Sequence, residues 1–259
     1  MADADRAIRW EGFHNARDLG GLPLAAGGAT RYGALIRSGD VRFVTAAGWQ
    51  SAARAGVRTV LDLRNDDEAA PGAEPAATLG AGTFAVPASV PAADRPAQID
   101  SLRVPLDDID DVDFWRRLNA AGVNGTPLYF RPFIEAKPGR IAAALTAVAR
   151  ARPGGVIFHC GMGRDRTGLI SLLLLSLAAV TPDAIAADYE LSLDHVEAVF
   201  AALGIAHREP DMQAFLRSRG TSVRGAVLDL LDGLDVVRLL RATGMADTDI
   251  AALRSRLTG

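Results

Sequence analysis

The sequence predicts an α/β fold, and two local arrangements carry that reading. A helical pattern over 46–55 runs straight into a β-branched strand at Val57–Leu63. Further on, a compact apolar strand at Val156–His159 gives way to a glycine-rich loop and then a long apolar helix. Helix and strand alternating along one chain is the pattern of a sheet covered by helices. The composition can supply the core, because 49% of the 259 residues are hydrophobic and 23% charged. That balance excludes a disordered chain.

The elements follow in order. Residues 34–39 read as a short strand ending in a turn. Thr45 can cap the helix over 46–55, and Gly56 sits where a helix end wants a left-handed residue. Asp66-Asp67-Glu68 reads as a solvated loop or helix cap. Residues 69–101, rich in Ala and Pro, read as a surface excursion with a strand at Thr83–Val86, and Arg103–Leu106 is a further strand candidate. The acidic run Asp107, Asp108, Asp110, Asp111 and Asp113 reads as a solvated, helix-capping turn before Phe114-Trp115, since its spacing fails the calcium-loop pattern. Pro138 opens a helix with Ile141, Leu145 and Val148 on one face, closed by Arg152-Pro153-Gly154-Gly155. Thr181-Pro182-Asp183 starts another helix, and the remainder reads as helices with starts near Ser222 and Asp247. His14 reads as a structural hydrogen-bonding residue, and His195 and His207, on helix surfaces or ends, carry no partner motif.

Composition also excludes several functions. A net charge of −3 argues against nucleic-acid binding through a basic surface. Cys160 is the single cysteine, so no intrachain disulfide and no multi-cysteine metal site can form. Lys137 is the single lysine, so almost every cation is an arginine, a planar, permanently charged group suited to phosphate. The start Met-Ala-Asp-Ala-Asp-Arg is unlike a signal peptide, and the apolar stretch Leu169–Val180 would span only about 18 Å as a helix, against about 30 Å for a bilayer. A cytoplasmic location without integral membrane association is expected, with leaderless export left open.

Residues 159–168, His-Cys-Gly-Met-Gly-Arg-Asp-Arg-Thr-Gly, carry the chemistry. Backbone N–H groups at a helix N-terminus converge on an anion, and the helix dipole favours negative charge there. Gly161 and Gly163 allow the backbone to curl into a cradle of N–H groups. Arg166 adds a fork that matches phosphate oxygens. The same positive field favours ionisation of Cys160, and a thiolate in an anion cradle is placed to attack the phosphorus held there. No Walker loop and no complete dinucleotide fingerprint occur.

A cysteine preceded by His and followed after five residues by Arg-Thr resembles the signature of the protein tyrosine phosphatase superfamily. The longer loop resembles that of the bacterial atypical tyrosine/lipid phosphatases, the mycobacterial secreted phosphatase B type. Three upstream segments resemble the same branch: His14-Asn15-Ala16-Arg17-Asp18-Leu19-Gly20-Gly21, Leu35-Ile36-Arg37-Ser38-Gly39, and Val60-Leu61-Asp62-Leu63-Arg64. In the C-terminal third only Asp188-Tyr189 and a helical tail match. Arg164 stands where the branch has lysine, and Ala16 where it has phenylalanine.

The resemblance implies a central, mostly parallel sheet of four or five strands with helices on both faces and a helical C-terminal segment. It implies one phosphatase domain over 1–259, with 69–128 a variable surface or lid region and 222–259 the C-terminal helices. Cys160 would be the nucleophile, Arg166 the phosphate and transition-state clamp, and Asp165 the general acid, with Asp94, Asp107 and Asp108 as rivals. Gly161, Met162, Gly163 and Arg164 would complete the phosphate loop. Thr167 could donate to the sulfur, His159 would order the loop, and Arg64 would support it. Asp18, Arg37, Asp62 and Arg64 read as ion pairs behind the site, unless Arg64 and Arg17 border the pocket and meet a second phosphate. The implied activity is metal-independent hydrolysis of phosphate monoesters on phosphorylated proteins or phosphoinositides, without a cofactor and with inorganic phosphate binding in the loop. The alternatives are a catalytically weak phospho-ligand binding homologue and a rhodanese-like sulfur carrier.

Overall fold

A computed structural model describes residues 6–69, 93–203 and 209–259. The strand expected at Thr83–Val86 and His207 lie outside the described residues. Five strands form one sheet among them: β1 (Arg17–Asp18), β2 (Leu35–Ser38), β3 (Val57–Asp62), β4 (Asp100–Arg103) and β5 (Gly155–His159). Their spatial order is β1-β2-β5-β3-β4, with β1 antiparallel to β2 and the other pairs parallel.

The central strands are buried along almost their whole length because both faces are covered. Ile36, Val57, Val60 and Ile157 pack on one face with Trp49 and Ala52 of helix α1 (Ala46–Arg54). Leu35, Leu61, Val156 and Phe158 join the larger core on the other face. Val57 and Val60 share a face despite their odd spacing because the β3–β5 register slips between Val57 and Thr59. At the N-terminus of α1, Thr45 Oγ1 accepts from Gly48 N at 3.2 Å. Past its end Gly56 takes φ +87°, where a side chain would be strained.

One helical turn, α2 (Asp66–Ala69), follows β3, and α3 (Val112–Ala120) and α4 (Phe130–Ala136) lie between β4 and α5 (Pro138–Arg150). Helix α6 (Asp165–Leu177) is buried along nearly its whole length, as an all-round apolar sequence requires. Next come α7 (Pro182–Leu203), α8 (Glu209–Ser218), α9 (Val223–Leu231), α10 (Val236–Ala242) and α11 (Asp247–Thr258). Ile250, Leu253 and Leu257 of α11 belong to the same core as Ile141, Leu145 and Val148 of α5, which encloses that side of the sheet. Among the described residues no helix is long and apolar enough to cross a membrane.

One expectation differs from the structure. The strand placed at Arg103–Leu106 lies at Asp100–Arg103 instead. It is an edge strand with exposed side chains, so it shows no apolar alternation. Val104 N and Leu106 N still bond Asp62 O and Leu63 O at 2.9 and 3.1 Å, while Pro105 has no N–H to offer. The described part of 69–128, residues 93–128, is not all at the surface. It supplies β4 and α3, whose Phe114, Trp115 and Leu118 are buried; an acidic sequence before α3 concealed that apolar face.

Helix α6 ends with Ala179 at φ +59°, while Ala179 N bonds Ser176 O and Val180 N bonds Leu175 O, both at 3.0 Å. This is a helix-ending motif that favours glycine. The Ala179 side chain is exposed, so little packing depends on it. Ala179→Gly is expected to stabilise the protein by about 1 kcal/mol and raise its melting temperature by about 2–4 °C in a thermal scan.

Candidate active site

The site lies at the carboxyl end of the sheet, where open α/β folds place their ligands. Strand β5 ends at His159, Cys160 follows, and α6 begins at Asp165. The loop between them is therefore pinned by a strand at one end and a helix N-terminus at the other. Its neighbours are the ends of β2 and β3, whose Ser38 and Asp62 pair with His159. Gly163 has φ +70°, and a Cβ there would lie 2.6 Å from Gly39 N, so any side chain would force the loop off β2.

Cys160 and Arg166 are both buried, at 2% and 6% exposure. The Arg166 guanidinium is gripped by Glu68. Nη2 donates to Oε1 at 2.6 Å, Nη1 donates to Oε2, and Asp107 Oδ2 lies 3.4 Å from Nη1. Glu68 Oε2 also accepts from Asn65 N at 3.0 Å. Burial works to raise the Glu68 carboxyl, but Arg166 and the Asn65 N–H outweigh it and hold it below its usual value. The acidic run before β4 thus corrects one expectation: Glu68 is not solvated. Nothing in Asp66-Asp67-Glu68 distinguished the residue that turns inward, because the ion pair spans 98 residues of chain.

Asp107 is the group with unusual acidity. Burial pushes its carboxyl up to about 6, and the negative charges of Glu68 and Asp165 add to the rise while Arg166 opposes it. About one sixth of its side chain is exposed, at 16%, so solvent reaches it. It therefore departs from the solvated turn expected of the run, whereas its neighbours stay structural. Asp108 and Asp111 hold Lys137, and Asp111 Oδ1 caps α3 through Phe114 N at 3.1 Å. Asp94 is exposed and precedes β4 in the chain.

Asp165 has both oxygens occupied. Arg164 Nε donates to Oδ1 at 3.1 Å and Nη2 to Oδ2 at 3.3 Å; Nη2 also reaches Gly125 O at 3.0 Å. His159 is buried, which lowers its basicity, and its Nδ1 lies 3.3 Å from Cys160 O with Nε2 3.7 Å from Asp62. The Thr167 hydroxyl is buried and makes no hydrogen bond among the described residues, so the expected donation to the sulfur is not formed here. Arg64 is buried and engaged by two carboxylates. It is bound to Asp62 through Nε and Nη2 at 2.9 and 2.7 Å and to Asp40 through Nη1 at 2.8 Å, and Asp40 N in turn donates to Gly161 O at 2.9 Å. Arg17 is likewise buried, its Nε 3.0 Å from Asp188 Oδ1. Both guanidinium groups are thus already paired with carboxylates. Asp18 receives the N–H groups of Gly20 and Gly33 at 2.8 and 2.7 Å and so ties the turn after β1 to the start of β2. Among the described residues no cluster of three or more His, Cys, Asp or Glu could hold a metal.

A mostly parallel sheet with a cysteine-to-arginine loop between strand and buried helix defines a class of phosphate-binding α/β proteins. The tyrosine phosphatase family model matches residues 8–259, so the chain belongs to the tyrosine phosphatase family. A Cupriavidus necator protein, named provisionally as a tyrosine-protein phosphatase, is 30% identical over 194 residues, covering 70% of this chain and 61% of that one. The triple specificity protein phosphatase PtpB of Mycobacterium tuberculosis is 29% identical over 213 residues, 71% of this chain and 68% of its own. A Nostoc commune tyrosine-protein phosphatase is 27% identical over 164 residues, 63% of this chain and 50% of its own. The chain thus spans one half to about two thirds of these relatives.

Because the Glu68 charge contributes to the raised pKa of Asp107, its neutral replacement has a defined effect. Glu68→Gln should move the Asp107 titration below about 6. A carbon-13 NMR titration of the side-chain carboxyls reads this directly, and an unmoved midpoint would contradict the coupling.

Proposed function

We propose that the protein is a cysteine-dependent phosphatase that hydrolyses phosphate monoesters, with phosphotyrosine in proteins as its substrate. The observation that carries this reading is the pairing of Cys160 and Arg166 on one loop at the N-terminus of α6, beside a solvent-reachable carboxyl titrating at about 6. Family membership supports phosphatase chemistry, and the relatives' names point to tyrosine phosphate. The engagement of Arg17 and Arg64 with buried carboxylates favours a single phosphate over a polyphosphorylated lipid headgroup.

The phosphate dianion sits against the loop N–H groups and the Arg166 fork. Cys160 Sγ attacks phosphorus, the P–O bond to the leaving group breaks, and that oxygen takes a proton. Asp107 is the donor in this reading, because below about 6 it carries a proton beside Arg166. Asp165, with both oxygens accepting from Arg164, orders the loop instead. Water then attacks the cysteinyl-phosphate, gives its proton to the Asp107 carboxylate, and the S–P bond breaks to release phosphate. Arg166 and the backbone supply the positive charge, so the mechanism requires no metal.

Cys160→Ser should abolish hydrolysis of an aryl phosphate while leaving phosphate binding. Arg166→Lys should lose most activity, since a point charge cannot replace a bidentate fork. Turnover by the wild type should survive chelator. A protein that binds phosphate without turnover would instead be a phospho-ligand binding module, and a panel of phosphopeptides and phosphoinositides reads substrate choice.

The proton donor is tested by leaving group. Asp107→Asn should slow an alkyl phosphate by about 10²–10⁴-fold and an activated aryl phosphate far less. It should also remove the fall in kcat/KM that the wild type shows as pH rises through about 6, where Asp107 loses its proton. If Asp165→Asn shows this discrimination and Asp107→Asn does not, Asp165 is the acid.

A further inference from the structure

Three consecutive carbonyls of the loop are each held from outside. Gly161 O accepts from Asp40 N at 2.9 Å, Met162 O from Asn15 Nδ2 at 2.9 Å, and Gly163 O from Arg37 Nη2 at 2.8 Å. In a trans peptide the C=O and the following N–H point in opposite directions. Fixing these three carbonyls outward therefore turns the N–H groups of Met162, Gly163 and Arg164 the other way. Those of Met162 and Gly163 donate to no group among the described residues.

Asn15 is the costly member of this set. It holds φ +45°, a left-handed conformation that a residue with a side chain adopts reluctantly and asparagine more readily than most. It is buried at 5% exposure, and its own orientation is fixed because Arg17 Nη1 donates to Oδ1 at 2.9 Å, leaving Nδ2 aimed at the loop. Arg17 in turn is anchored by Asp188 and Ser192 of α7, which also anchor Arg37. Strain retained in a buried, fully bonded residue beside a site is a signature of positioning.

We infer that Asn15 is a positioning residue of the phosphate loop, its side-chain amide holding the Met162 carbonyl away from the anion so that the Gly163 N–H faces it. The inference rests on the phosphatase reading above and deepens it, since the same loop binds the substrate's phosphate. Two substitutions separate positioning from folding. Asn15→Asp is isosteric, tolerates the same φ and keeps the acceptor for Arg17, but loses the donor to Met162 O. Asn15→Gly relieves the φ strain and removes both bonds.

The probe is orthovanadate, with binding measured by calorimetry alongside kcat, KM and thermal unfolding. Asn15→Asp should bind vanadate about tenfold more weakly than the wild type, as expected for one lost hydrogen bond and a misdirected carbonyl. Its kcat/KM for an aryl phosphate should fall at least as far, carried by kcat as well as KM. Asn15→Gly should show the same losses while melting at or above the wild-type temperature, which a merely structural residue would not do. Vanadate affinity and kcat unchanged in Asn15→Asp, with the wild type active, overturn the inference and leave the phosphatase reading standing. A wild type that neither binds vanadate nor turns over substrate overturns both. Should Asn15→Gly melt well below the wild type, Asn15→Asp alone decides.

Discussion

Everything at the carboxyl edge of the sheet depends on the need to pair buried guanidinium groups. Arg17, Arg37, Arg64 and Arg166 all lie at 7% exposure or less. A guanidinium cannot shed its charge as a buried lysine can, so each must find carboxylates. Asp188 serves Arg6, Arg17 and Arg37; Asp40 and Asp62 serve Arg64; Glu68 serves Arg166. Three arginines crowd around this one carboxylate behind the loop. Arg17 registers that crowding: burial first, and then the neighbouring Arg37, pull it down to about 10. Asp188 registers the converse, held well below the carboxylate range despite its burial. In front of the loop, the N-terminus of α6 favours an anion.

The same pairings give each strand end a task. Ends of β2 and β3 contribute Arg37 and Asp62, and neither touches the anion's place. They hold what does: Arg37 grips the Gly163 carbonyl, and Asp62 fixes Arg64, which fixes Asp40, whose N–H holds the Gly161 carbonyl. Buried charge of this kind is weak evidence for added stability and better evidence for orientation. Glu68 stands beside this network, its backbone carbonyl accepting from Arg42 Nη2 at 3.1 Å. It grips Arg166 and, through its charge, keeps the Asp107 proton in place to higher pH.

Much of the fold was legible because its signals are local. A helix cap at Thr45, a glycine at 56 and an apolar strand before a glycine loop each fit within a few residues, and the structure forms them there. Edge strand β4 was displaced by three residues because its exposed side chains carry no pattern. In the site, residues 159–166 announced themselves as a block. Glu68 carried no such signal, Asp107 was only one of three rivals for the acid, and Asn15 only one residue of a resembling segment, for a common reason: each acts across a long stretch of chain, and nothing beside it in sequence names its partner. Glu68 looked like any acidic turn, and Asp107 was one of five aspartates in a run. Burial alone singled it out, and burial is a property of the folded chain.

The buried position of Cys160 has a redox consequence. No second sulfur of cysteine occurs within these 259 residues, so an oxidised Cys160 cannot be sheltered as a disulfide with a neighbour in the chain. A sulfenic acid there has two reversible exits. It can condense with a thiol from solution, which must reach a residue only 2% exposed, or with a backbone nitrogen, for which the adjoining Gly161 offers the least hindered approach. If neither occurs, further oxidation to the sulfinic state is irreversible by thiols. The loop that shields this sulfur from most of the solvent thus also slows its rescue.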